Sequence, residues 1–208
     1  MTVRVEDVSP LREAHLLLRE YSHRTNNEFA SAISIISMAA LRATTDEAKC
    51  TLTAVKERLF CYAQVHQALE MPESSVRIDG AAYIRELCRA ISRSKLASQG
   101  IELILKEKTF QIQSERCWRL GLIVSELIAN SARHAFVGKG GVIRIEVLPS
   151  ASFVECRVAD DGRSEPGARP GHGLRIVTAL AHSLGGRFKQ NFGPKGTASI
   201  LVFPVDRP

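Results

Sequence analysis

Residues 126–136 read ELIANSARHAF and set Glu126, Asn130 and His134 four residues apart. Positions i, i+4 and i+8 of a helix share one face. That face carries a carboxylate, a carboxamide and an imidazole, while Leu127, Ile128 and Ala132 supply the apolar side. Such a segment is either an amphipathic helix with a solvated stripe or a helix that holds a ligand. In the second case the oxygen donor of Asn130 suits a hard cation such as Mg²⁺, which keeps several waters and is shared with substrate phosphates.

Downstream, the strand-like run FVECRVAD ends in Asp160-Asp161-Gly162, and Gly171-His172-Gly173 opens an apolar-periodic segment. Glycines between a strand and a helix permit close backbone approach, and a helix N-terminus offers free N–H groups to phosphate. Gly196-Thr197 then begins an apolar strand that ends at Pro204. The ordered set E-x-x-x-N, D-x-G, G-x-G and G-T resembles the Bergerat-type ATP-binding fold shared by gyrase, the ninety-kilodalton chaperones, histidine kinases and the mismatch-repair ATPase. The resemblance covers residues from about 80 to 204.

The branch is indicated near the other end of the chain, where residues 20–29 read EYSHRTNNEF. The pattern E-x-x-H-R-x-x-N is similar to the phosphoacceptor box of the second HisKA class and its HWE relatives. Val158-Ala159-Asp160 stands where the HWE group has W-x-E, so the chain looks closer to the second HisKA class. Asn26 stands where a Lys is usual, and Ser164 where a second Gly follows D-x-G.

This resemblance implies roles for particular residues. His23 is the implied phosphoacceptor; Glu20 and Asn27, at i−3 and i+4, are placed to flank its imidazole and orient the tautomer. Asn130 is the implied Mg²⁺ ligand, and Glu126 orients a metal-bound water or the nucleophile. Asp160 would accept the adenine amino group. Gly162, Gly171 and Gly173 would let the lid backbone approach ATP, with Arg133, His134, Leu174 and Thr197 completing the nucleotide site. Arg163 and Arg169 are expected to be solvated lid charges, and His66 an ordinary hydrogen-bonded histidine on a packing seam.

Composition bounds the rest. With 208 residues the chain can form two small domains, each with a core. MTVRVEDVSP has no apolar signal-like region, and no apolar run approaches the ~18 residues of a membrane span. A cytoplasmic location, no membrane partner and no sensing module are therefore expected. The five cysteines are widely spaced without metal-site spacing, which predicts reduced, buried thiols. Residues 1–75 hold 8 Lys+Arg against 10 Asp+Glu, whereas residues 76–208 hold 20 against 12. The basic excess thus lies with the nucleotide motifs, where it can attract phosphates. With 6% aromatic residues and no base-reading cluster, no nucleic-acid partner is expected.

Leu11, Ala14, Leu18, Tyr21, Thr25, Phe29, Ala32 and Ile36 recur three and four apart, predicting a helix with a packing seam. His23 lies about 200° around the helix from Tyr21. After Thr44-Thr45-Asp46 the same spacing resumes through Leu52, Leu59, Tyr62, His66 and Leu69. Two such helices bury little alone, so a hairpin pairing with its copy in a four-helix homodimer is expected. Pro72 to Ser75 is the expected linker. The chain is thus expected to be α+β: a dimerisation and phosphotransfer hairpin over 1–75, then a Bergerat-type α/β sandwich over 76–208.

The function so implied is a soluble histidine kinase that autophosphorylates His23 from Mg-ATP and passes the phosphoryl group to a response-regulator receiver aspartate. The alternative is a histidine phosphotransfer protein of the same architecture that no longer binds ATP. A serine kinase acting on a sigma-factor regulator through the same ATP fold is disfavoured by H-R-x-x-N.

Overall fold

The first three-four repeat forms helix α1 (Pro10–Arg42) and the second forms helix α2 (Asp46–Ala68). The computed structural model describes residues 10–72, 76–136, 140–162, 172–193 and 196–206. By its contacts the chain divides into two compact units, Met1–Glu70 and Met71–Pro208. The expected linker residues Glu73, Ser74 and Ser75 lie outside the described residues.

In the first unit, Thr45 ends the short turn between the helices by capping α2, its hydroxyl accepting the Ala48 N–H at 3.3 Å. Asp46 and Glu47 follow in the first turn, where carboxylates favour the positive end of the helix dipole. The helices pack through half-buried Phe29, Ala32, Ile33 and Ile36 against half-buried Leu52, Leu59 and Tyr62. Tyr21 departs from the expected seam. It is 69% exposed, and Leu17, Ile35 and Met38 are 65, 66 and 51% exposed. At ~100° per residue these four fall on one stripe, turned away from the face that meets α2. Helix α1 therefore carries two apolar faces, of which the hairpin covers one.

The second unit begins with β1 (Arg77–Asp79), which pairs antiparallel with β3 (Gln111–Gln113). Asp79 caps α3 (Gly80–Ile91), its carboxylate accepting the Ala81 and Ala82 N–H groups at 2.9 and 3.3 Å. The α-helix ends at Ile91 and widens into a π-helical turn over Ser92–Leu96, then a 3₁₀ turn to Gln99. Gly100, at φ 67°, takes a left-handed conformation that glycine adopts without strain, and leads into β2 (Ile101–Glu107).

Helix α4 (Ser114–His134), strands β4 (Gly141–Pro149) and β5 (Phe153–Asp160), helix α5 (His172–Ser183), and strands β6 (Arg187–Gly193) and β7 (Gly196–Pro204) complete the unit. The main sheet runs β2-β4-β5-β7-β6. Among the described residues only β2 and β4 pair in parallel, because α4 lies between them and supplies the crossover. Strict alternation puts Ile143, Ile145, Val147, Val154, Cys156, Val158, Leu201 and Phe203 on a buried face. Helix α3 packs on β2, α4 on β5 and α5 on β6, burying Ile84, Leu87, Leu120, Ile123, Val177 and Leu184. Arg144, Glu155 and Arg157 alternate outward. This is the α+β sandwich expected from the strand and helix pattern. Arg116 stitches its layers together, Nη2 donating to the carbonyls of Leu184 and Pro204 at 3.0 and 2.6 Å.

The cysteines divide. Cys88, Cys117 and Cys156 are buried, but Cys61 is half-buried and Cys50 exposed, because α2 has no cover on its outer side within the hairpin. All five are free thiols.

Candidate functional site

The row Val154, Cys156, Val158 on the core face of β5 continues into Asp160, so alternation drives a carboxylate into the core edge at 7% exposure. A buried carboxylate is tolerable only where donors replace its water. Three do so. Oδ1 accepts the backbone N–H of Thr197 at 3.1 Å and of Gly162 at 3.3 Å. Oδ2 accepts the hydroxyl of Ser131 at 2.8 Å. Thr197 reaches Asp160 because β7 lies beside β5 in a register that pairs Ala159 with Ala198.

Glycines make these approaches possible. Gly196 has φ 114°, and a Cβ there would collide with the Asp160 carbonyl. A Cβ at Gly162 would collide with the Ala135 carbonyl, so the chain leaving β5 runs flush against the end of α4.

On α4 the stripe read from the sequence grades from sheltered to open. Glu126 and Asn130 are half-buried, His134 and Arg133 exposed, while Leu127 and Ile128 anchor the opposite side at 4 and 1% exposure. Ala132, expected on that apolar side, is only half-buried. Helix α5 begins beside this stripe, with Gly173 and Leu174 half-buried. A side chain at Gly173 would collide with Glu126 Oε1, so the first turn of α5 rests on that carboxylate. The positive end of a helix dipole favours such a neighbour. Gly171 and the lid residues Arg163, Ser164 and Arg169 lie outside the described residues.

The structure thus joins Asp160 with Gly162 and Thr197, and Glu126 with Gly173. It adds Ser131, which the four-residue stripe did not include. The signal was a small hydroxyl one position after Asn130, turned from the stripe toward the sheet. No cluster of three or more His, Cys, Asp or Glu residues able to hold a metal occurs among the described residues. The oxygen donors of Asn130 and Glu126 therefore fit a hard cation that takes its remaining ligands from water and phosphate, rather than a cage made by protein alone.

On α1, His23 is exposed. Its expected flanking carboxylate is engaged elsewhere: Glu20 Oε1 accepts from Arg24 Nε at 2.8 Å, the favoured i,i+4 geometry, and not from His23. Asn27 is exposed, and no hydrogen bond joins it to His23. Asn26, in place of the usual Lys, turns inward. Its Nδ2 donates to Glu70 Oε1 at 2.7 Å, and its Oδ1 lies 3.0 Å from His66 Nδ1. A carboxylate only accepts, so Glu70 fixes which way the amide points, and His66 must carry its hydrogen on Nδ1. The ring of Phe29 stands 5.9 Å from that of His66. His66 is the hydrogen-bonded seam histidine its spacing suggested.

Both parts of the chain match known families. A histidine kinase family model of the HisKA_2 type matches residues 20–95, and a histidine kinase-like ATPase domain model matches residues 82–203. The chain is 26% identical over 200 residues to the sensor histidine kinase PdtaS of Mycolicibacterium smegmatis, across 91% of this chain and 40% of that protein. It is 25% identical over 202 residues to blue-light-activated histidine kinase 2 of Erythrobacter litoralis, across 91% of this chain and 57% of that one. It therefore spans about half the length of the curated relatives it matches. The histidine kinase domain of the Erythrobacter litoralis EL346 blue-light activated kinase shares the fold, with a TM-score of 0.59 at 21% identity over 85% of this chain and 96% of that one. No helix among the described residues is long and apolar enough to cross a membrane. With a histidine kinase-like ATPase domain model over more than half of its length and a HisKA_2 histidine kinase model over residues 20–95, the chain belongs to the histidine kinases.

Proposed function

We propose that this histidine kinase chain binds Mg-ATP in its second unit, phosphorylates its own His23 and passes the phosphoryl group to a receiver-domain aspartate of a response regulator. The observation that carries the proposal is the buried Asp160 carboxylate, held by three donors at the mouth of a glycine-shaped site beside the Asn130 stripe. Its remaining acceptor capacity suits the amino group of adenine. Phosphates then lie toward Glu126, Asn130 and the N-terminal turn of α5, where backbone N–H groups favour anions. Magnesium, held by Asn130 through its amide oxygen, would neutralise phosphate charge.

Phosphoryl transfer asks for positioning more than for covalent chemistry from the protein. Neutral His23 attacks the γ-phosphorus through a ring nitrogen; an N–P bond forms, the bridging P–O bond breaks and ADP leaves. The proton on the other ring nitrogen passes to a carboxylate or to water. Glu20 suits the orienting role because its ion pair with Arg24 is exposed and weak enough to exchange. The phosphoramidate then transfers its phosphoryl group to a carboxylate. His23 and the nucleotide residues belong to different units, so movement about residues 70–80 is part of the cycle. The exposed stripe of α1 is the proposed homodimer face. A reaction that uses ATP and a receiver domain places the protein in the cytoplasm.

Incubation with γ-labelled ATP and Mg²⁺ tests this. Acid-labile label on the wild type and none on His23→Gln is expected. ATP binding without any labelling would remove the kinase assignment, and failure to bind ATP at all would favour a phosphotransfer protein of the same architecture.

A further inference from the structure

Several hydroxyls on the helices of this protein fold back on their own backbone. Thr25 donates to the Tyr21 carbonyl, Ser37 to Ile33, Ser125 to Leu122 and Thr178 to Leu174, at 2.8 to 3.0 Å. This is the ordinary fate of a helical Ser or Thr. Ser131, on the same helix as Ser125, does otherwise: its hydroxyl leaves the helix and donates to Asp160 Oδ2 at 2.8 Å.

The arrangement has a definite donor and acceptor count. Asp160 Oδ1 receives the Thr197 and Gly162 N–H groups, which occupy both of its lone-pair directions. Oδ2 receives Ser131, so one lone pair remains there. A serine hydroxyl has a single hydrogen, here committed to the carboxylate, so toward a ligand Ser131 Oγ can only accept. The two side chains together present acceptors and no donor. An N–H group of a ligand satisfies such an edge. A carbonyl oxygen in the same place meets lone pairs and loses the hydrogen bonds it had in water.

We propose that Ser131 is the positioning residue that sets base selectivity, so that the pocket takes a purine carrying a 6-amino group and rejects one carrying a 6-oxo group. The proposal rests on the ATP assignment above and adds to it how this chain tells ATP from ITP. Removing the hydroxyl frees one lone pair of Asp160 and vacates space for a water. That water can donate one hydrogen to Asp160 and the other to a 6-oxo group, so selectivity is lost from both directions.

The test is calorimetric titration of the full chain with Mg-ATP, Mg-ITP and inorganic triphosphate, for wild type, Ser131→Ala and Ser131→Thr. The wild type is expected to prefer ATP over ITP by at least about tenfold, the scale of one hydrogen bond to a charged group. Ser131→Ala should lower that preference about tenfold, with inorganic triphosphate affinity unchanged. Ser131→Thr, which keeps the hydroxyl, should restore it. Equal wild-type affinity for ATP and ITP, an unchanged ratio in Ser131→Ala, or a threonine variant that behaves like alanine each overturns the proposal while leaving ATP binding standing. A wild type that binds neither nucleotide overturns the ATP assignment itself, and this proposal with it. Should Ser131→Ala not fold, the wild-type ratio and the threonine variant still decide.

Discussion

Single side chains at the proposed nucleotide site separate into those proposed to meet the base and those proposed to shape the phosphate end. Asp160→Asn replaces an acceptor-only carboxylate with an amide that must turn a donor toward Ser131, Gly162 or Thr197. ATP affinity is expected to fall by about 1.5–3 kcal/mol, the cost of a lost charged hydrogen bond. Inorganic triphosphate should be unaffected; equal losses in parallel titrations would mean that the variant damages the fold instead. Gly173→Ala acts at the other end. Its methyl displaces Glu126, a movable side chain, so stability should change little while the phosphorylation rate at saturating ATP drops. Because both changes act through one carboxylate, adding Glu126→Gln should lower the rate little further, and additive losses would separate Gly173 from Glu126. The spacing of Glu126, Asn130 and Asp160 was legible in the sequence because helix and strand periods fix which residues share a face. Ser131 was not, since its role depends on β5 arriving opposite α4, and no local period records that.

Elements show the same division. Helices α1, α2, α4 and α5 and strands β5 and β7 carried enough periodic residues to be read, but β1 and β3 are three residues each, too short for alternation to register. In α1 the repeat was read as one seam, whereas a 33-residue helix has room for two apolar faces. Tyr21 belongs to the outer one. This predicts that Leu17→Asp with Ile35→Asp converts a dimer into a monomer in sedimentation of the full chain, with helix content retained. A wild type that sediments as a monomer at all concentrations would remove the homodimer. The Glu70–Asn26–His66 chain shows how an unexpected residue is absorbed: an amide takes the place of the usual cation and ties the turn of α1 after His23 to the end of α2.

Across the whole molecule the two units differ in how completely they exclude water. In the first unit Cys50 is exposed, whereas burial in the second pushes the thiols of Cys88, Cys117 and Cys156 up to about 12. Thiol reagents at neutral pH are expected to label Cys50 quickly, Cys61 more slowly and the other three only on unfolding. Because their folded pKa values exceed that of a free thiol, near 8.5, the neutral thiols contribute stability that is intact below about pH 8.5. It declines as pH rises from there toward 12. Urea midpoints at pH 7 and pH 10 check the sign: the second unit should be the less stable at pH 10.

The last strand in the chain is not the last in the sheet. β7 lies between β5 and β6, and it also brings the Thr197 N–H to Asp160. As the polypeptide leaves the ribosome, β5 must wait with an open edge and β6 without a neighbour until residues 196–204 emerge. Competence to hold a nucleotide therefore arrives with the closing strand, and a partly made chain cannot trap ATP. A chain stopped after residue 195 should be cut rapidly by proteases and show no nucleotide binding, whereas one carried through residue 206 should resist and bind.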